Sequence, residues 1–361
     1  MNLHLLPAIS IAAVAFLLAA LFFPMVIRLF LQRGWVDKPD YRKQHVKPVP
    51  AAGGVAIAAA LFGALLLFAP GRSFYAAHTS EIAALIALCV VGAWDDQRNL
   101  SALMRLGVQL GAGLFVAASG LRLHSFYGVF GIYELPLAAQ FILSALIYAG
   151  VTNAFNLIDG IDGLSGTLAI TGMSTLAAMA VYTGASEWLL LLFPAIAAVI
   201  IFLRYNLNPA RVFMGDSGSQ MFGFLLATVG MGILSDVKME TISFLPPHAA
   251  VVASVLMIPV ADALRVFRHR IRSGRSPFSA DRSHLHHWLL QAGNNHTSAV
   301  KQILILQLLL IGFTFLAGTI MPITIVLLIQ FLMVLLFTRF VKLIAGFRKW
   351  KDLVQRSEFR G

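Results

Sequence analysis

LLPAISIAAVAFLLAALFFPMVIRLFL, residues 5–31, carries a single charge, Arg28. About 20 apolar residues take a helix across the hydrocarbon core of a bilayer, so this stretch spans with length to spare. It is too long for the apolar core of a secretory signal, and no small-residue cleavage site precedes the basic loop after it. The expectation is therefore a retained helix. Working outward, similar apolar segments fall near 50–69, 80–94, 101–121, 136–155, 164–183, 187–204, 217–234, 248–268, 301–320 and 322–343. The last two are divided at Met321-Pro322.

Composition agrees with that reading. Of 361 residues, 59% are hydrophobic and 12% charged, with a mean hydropathy of +0.82. A soluble domain carries about a quarter charged residues, so a soluble fold is excluded. The fold class expected is an all-α polytopic membrane protein of about eleven transmembrane helices. The lone cysteine, Cys89, lies in an apolar run and forms no intrachain disulfide.

A net charge of +11 would suit nucleic acid, but the basic residues sit between spans, as membrane topology requires. With the N-terminus outside, all but Arg72, Arg122 and Lys238 fall on or near the inner side. This gives a cytoplasmic C-terminus and the domain plan expected here. Residues 1–343 form one transmembrane catalytic domain with cytoplasmic loops, and 344–361 a basic cytoplasmic tail. A short outside hairpin is expected around Gly128–Pro136.

Against this apolar background stand five of the sixteen acidic residues, at the inner ends of spans: Asp95, Asp96, Asp159, Asp162 and Asp216. A short aspartate cannot snorkel to water as lysine does, so carboxylates gathered there call for a cation or a pathway. Asp95-Asp96 follows a span directly, and adjacent like charges raise each other's pKa unless a cation intervenes. In the segment Asn153–Gly163 (NAFNLIDGIDG), a helical turn would set Asp159 and Asp162 on one face. A polar N-cap explains one of these aspartates but not both together with Asn153 and Asn156. Asp216, in VFMGDSGS, reads either as an N-cap or as a carboxylate for magnesium, which takes one or two carboxylates with waters and phosphates.

The segment SPFSADRSHLHH, residues 276–287, holds Arg282, His284, His286 and His287. Its spacing fits structural zinc poorly, and with the surrounding arginines it reads as a phosphate-binding loop. Asp37–Lys47 followed by Gly53-Gly54 is compatible with holding an anionic headgroup. Asp262 is read as the partner of Arg265 one turn on, a structural role. A transporter would place its charges near the bilayer midplane in broken, repeated helices, and no such repeat is visible.

These motifs, in this order and at these separations, resemble the polyprenyl-phosphate N-acetylhexosamine-1-phosphate transferase superfamily, glycosyltransferase family 4. The resemblance runs from about Asp37 to Gly293 and is nearest to bacterial undecaprenyl-phosphate GlcNAc-1-phosphate transferases. HLHH, rather than three consecutive histidines, argues against the peptidoglycan branch. One departure is Asn99, where related enzymes often carry a third acid.

The resemblance implies transfer of N-acetylhexosamine-1-phosphate from a UDP-sugar to undecaprenyl phosphate at the cytoplasmic face of a bacterial inner membrane. Modified donors such as UDP-FucNAc, UDP-QuiNAc or UDP-GalNAc are the alternative, and an anionic-lipid flippase is the rival of another class. It implies Mg2+ on Asp216, with Mn2+ as a substitute, and catalytic roles for Asp95, Asp96, Asp159 and Asp162. Asn156, Asn206 and Phe213 are implied in uridine binding, Phe213 by stacking. His284, His286, His287 and Arg282 are implied on the diphosphate or sugar, and Lys47 on phosphate. The partners implied are the UDP-sugar, the lipid phosphate and membrane lipid. Nucleic acid is not among them, and a homodimer is compatible.

Overall fold

The structure is a computed structural model and describes residues 4–37, 48–236, 248–277 and 283–358. Lys47, Arg282 and most of the Asp37–Lys47 stretch lie outside the described residues. The chain is an all-α, multi-pass membrane protein. Each apolar segment expected from the sequence holds a helix: α1 (Leu5–Arg33), α2 (Gly53–Leu67), α4 (Thr79–Arg98), α5 (Ala102–Ala118), α6 (Leu137–Ile158), α7 (Leu164–Thr183), α8 (Leu189–Asn206), α9 (Gly215–Asp236), α10 (His248–Arg272), α12 (His296–Ala317) and α13 (Ile323–Glu358). Two shorter helices, α3 (Ala69–Ala77) and α11 (Leu285–Gln291), complete the α-helices among the described residues.

Eight of these helices are long and apolar enough to cross a membrane, or nine if α2 and α3, bent by 109°, make one span. Two expected spans lie outside that count for physical reasons. α5 has 17 residues, at the short end of the lengths that cross a bilayer. α4 carries Glu81 at one end and Asp95, Asp96 and Arg98 at the other. α13 continues without a break past residue 343 to Glu358, so the basic tail begins as helix. The hairpin expected near Gly128 is present as two paired strands, Ser125–Val129 and Ile132–Glu134, beginning slightly earlier than read.

The centre of the bundle is α9, whose membrane-length window is wholly buried, whereas α1 and α13 are largely exposed. Helices α2, α4, α6, α7 and α10 surround it. Small residues make this possible. A Cβ on Gly92 of α4 would lie 2.4 Å from the Asp216 carbonyl oxygen, so α4 and α9 touch backbone to backbone. That contact brings the WDD and MGDSG motifs together.

Candidate active site

The Gly92 contact sets the last turn of α4 against the first turn of α9. Asp96 Oδ1 accepts the Asp216 backbone N–H at 2.8 Å, and Oδ2 accepts that of Ser217 at 3.3 Å. The first N–H groups of a helix have no partner within it and carry partial positive charge, so a carboxylate there is doubly favoured. The capping function that the sequence offered to Asp216 is thus performed by Asp96, from another helix. Asp216 is left to face outward.

Asp95 is buried and closes its own loop, accepting the Leu100 N–H at 2.6 Å. Its other oxygen meets Arg105 Nη1 at 3.0 Å, and the same nitrogen stands 3.2 Å from Asp216 Oδ2. A cation therefore stands between Asp95 and Asp216, and it is a residue the sequence reading passed over. The available signal was an arginine in the first turn of α5, where the helix dipole disfavours a cation. Among the described residues there is no group of three or more His, Cys, Asp or Glu able to hold a metal by itself. Two carboxylates converging on one point of positive charge nevertheless fit a magnesium ion that completes its shell with water and phosphate oxygens.

The DGIDG motif is not helical. α6 ends at Ile158 and α7 starts at Leu164, so Asp159 and Asp162 lie in the connection and not on one helix face. The cause is that Asp162 is drawn sideways. Its Oδ2 accepts from Asn208 Nδ2 at 2.9 Å and from the Ala210 N–H at 3.1 Å, with His296 Nδ1 at 3.3 Å. Burial alone would raise the Asp162 pKa, but the hydrogen bonds from His296, Ala210 and Asn208 and the His296 charge hold it below the usual value. Asp159 behaves oppositely. Burial pushes it up to about 6, the Ser165 hydroxyl opposes this, and the Asp162 charge adds to it.

Asn206 is buried with both ends of its amide used. Oδ1 accepts from Gly163 N–H and Nδ2 donates to the Val212 carbonyl, each at 2.8 Å. It ties the DGIDG connection to the segment before Asp216. The Gly53 and Gly54 N–H groups donate to the Phe213 and Met214 carbonyls at 2.9 Å. They are already paired within the protein, and the basic stretch read with them lies mostly outside the described residues.

The histidine segment divides. His284 and His286 are buried, and of the three it is His287 that lines the cavity. His284 Nδ1 lies 2.8 Å from Asp262 Oδ2. The Asp262–Arg265 pair expected from the sequence is present at 2.6 Å. Asp262 also accepts the Leu285 N–H at 3.1 Å, so it anchors the whole segment. Arg265 donates to the Ser283 carbonyl and lies 4.1 Å from the Trp288 ring centre. Burial, followed by the charges of His287 and His284, pushes the His286 pKa well below its usual value.

Around these groups opens a cavity of about 1660 Å3. Asp95, Asp96, Asn156, Asp159, Asp162, Asn206, Phe213, Asp216 and His287 line it, along with Arg105, Asn208, Arg211 and His296, which the sequence did not single out. Carboxylates, a guanidinium, an aromatic ring and imidazoles around one large cleft can hold a phosphorylated, ring-bearing ligand.

The sequence model described as Glycosyl transferase family 4 matches residues 78–234. A probable undecaprenyl-phosphate N-acetylglucosaminyl 1-phosphate transferase of Bacillus subtilis is 34% identical over 295 residues, covering 81% of this chain and 78% of the relative. The undecaprenyl-phosphate alpha-N-acetylglucosaminyl 1-phosphate transferase of Escherichia coli K12 is 31% identical over 77% of this chain and 75% of its own length. That of Salmonella typhi is 31% identical over 86% and 84%.

Proposed function

This chain belongs to glycosyl transferase family 4 and is a phosphosugar-transferring enzyme, and from that premise we propose that it moves N-acetylhexosamine-1-phosphate from a UDP-sugar to undecaprenyl phosphate. GlcNAc-1-phosphate is the first expectation for the moiety transferred. The products are undecaprenyl-diphospho-sugar and UMP, the opening step of a cell-surface polysaccharide. The observation that carries this reading is the convergence of Asp95 and Asp216 on Arg105 in the lining of one cavity.

An oxygen of the lipid phosphate attacks the sugar-linked phosphorus, a new P–O bond forms, and the bond to the UMP oxygen breaks. One phosphoanhydride replaces another, so positioning and charge neutralisation supply most of the catalysis. Asp95 orients the lipid phosphate and takes its proton where it carries one. Asp96 fixes Asp216 through the first turn of α9. Asp159 faces the donor diphosphate, Phe213 stacks on uracil, Asn156 meets the uridine, and His287 meets the diphosphate or sugar. Asp216, with Asp95 beside it, would hold Mg2+ or Mn2+. The bound ion would neutralise charge on the diphosphate and on the departing UMP.

The asymmetry of Lys and Arg supports an orientation with this cavity on the cytoplasmic face of the bacterial inner membrane, where UDP-sugars are made. Eleven crossings with the N-terminus outside are the matching topology. The test is a donor panel with purified protein, undecaprenyl phosphate and Mg2+, reading UMP release. Release that persists undiminished in Asp216→Ala with EDTA would overturn the mechanism.

A further inference from the structure

Gly160 follows Asp159 in the cavity wall. A Cβ built on it would lie 2.2 Å from Nε2 and 2.6 Å from Cε1 of His286. The imidazole thus presses its edge onto the peptide that carries Asp159. A flexible side chain would swing away from such a contact, but His286 is held. Its ring lies parallel to that of His284 at 5.8 Å and tilted against that of His287 at 4.2 Å. His284 is in turn fixed by Asp262. His286 Nδ1 is buried with no hydrogen-bond partner among the described residues, so the ring is kept there by its shape and packing and not by polar contacts.

We propose that His286 is a positioning residue: a wedge, anchored through His284 and Asp262 on α10, that sets the Asp159–Gly160 peptide and so aims the Asp159 carboxylate into the cavity. This rests on the transferase reading in its functional consequence, and on the His286–Gly160 contact alone in its structural one. His287 then does the work at the substrate side, while His286 acts through Asp159. A ring lowered in basicity by burial suits this role, because a neutral wedge places no second charge beside the carboxylate.

A double-mutant cycle between Gly160→Ala and His286→Ala tests it. Gly160→Ala alone should lower kcat by about tenfold or more with the donor KM little changed, since misplacement of a reacting group by about 1 Å costs up to about a hundredfold. In a His286→Ala background the same methyl should change kcat by less than about twofold, because the space it needs is free. Equal effects in both backgrounds would overturn the proposal. Should His286→Ala be inactive, the cycle is read in thermal unfolding. There Gly160→Ala should lower the melting temperature in the wild-type background and leave it unchanged beside His286→Ala, and equal lowering again overturns the wedge. Wild-type UMP release separately tests the transferase reading.

Discussion

Asp96 caps a helix to which it does not belong, its Oδ1 accepting the backbone N–H of Asp216 at 2.8 Å across 120 positions of sequence. The acid pair in WDD therefore has two occupations. Asp95 faces the cavity cation, and Asp96 builds the platform on which Asp216 stands.

Substituting Asp96 separates the two. Loss of an N-cap costs about 0.5–2 kcal/mol, so Asp96→Ala should lower the melting temperature. Asp96→Asn keeps one acceptor oxygen and should lower it less. Parallel thermal melts of the two variants check this, and identical melting would remove the capping role.

Arg105 is the counter-charge for two carboxylates. In Arg105→Met, Asp95 and Asp216 face each other without it, at a cost of about 1–3 kcal/mol for charge-assisted hydrogen bonds lost. The variant should melt lower than wild type in EDTA and recover part of the difference on addition of Mg2+. Recovery in wild type but none in the variant would argue that Arg105 helps bind the ion instead of preceding it.

Asp95→Asn and Asp216→Asn keep the shape of the site and remove its charge. Each is expected to abolish UMP release, by about a hundredfold or more, as loss of a single preorganised electrostatic group does. Size-exclusion profiles should stay those of wild type. Full activity in either variant would remove that residue from the mechanism.

Asp159 sets a pH dependence. Its carboxyl is raised from 3.8 to about 6, so the fold favours the protonated form. The stability this contributes is complete below 3.8 and is lost as pH rises through about 6. Asp159→Asn should then melt above wild type at about pH 8, with a gain in stability of up to about 3 kcal/mol, and like wild type at about pH 4. A gap that widens on acidification would contradict the assignment. The same variant should lose UMP release.

The helices were legible because an apolar run of membrane length admits few other structures, and the acidic motifs were legible because aspartate at a span end is anomalous. What could not be read was who touches whom. Asp162 was grouped with Asp159 by their spacing, yet it is claimed by Asn208, Ala210 and His296, the last 134 positions away. Arg105 was counted as a topology charge, because its partners lie in two other helices. His284 and His286 were placed on substrate, whereas burial turns them to Asp262 and Gly160.

The burial of α9 has a further consequence. Bilayers of different thickness tilt or stretch the helices that face lipid, and here those are principally the outer ones such as α1 and α13. Asp216 rides on a helix that lipid does not touch, so such strain must first pass through α2, α4, α6, α7 or α10. Hydrophobic mismatch should leave the reacting geometry largely undisturbed, and the enzyme can keep its chemistry constant while its membrane changes composition.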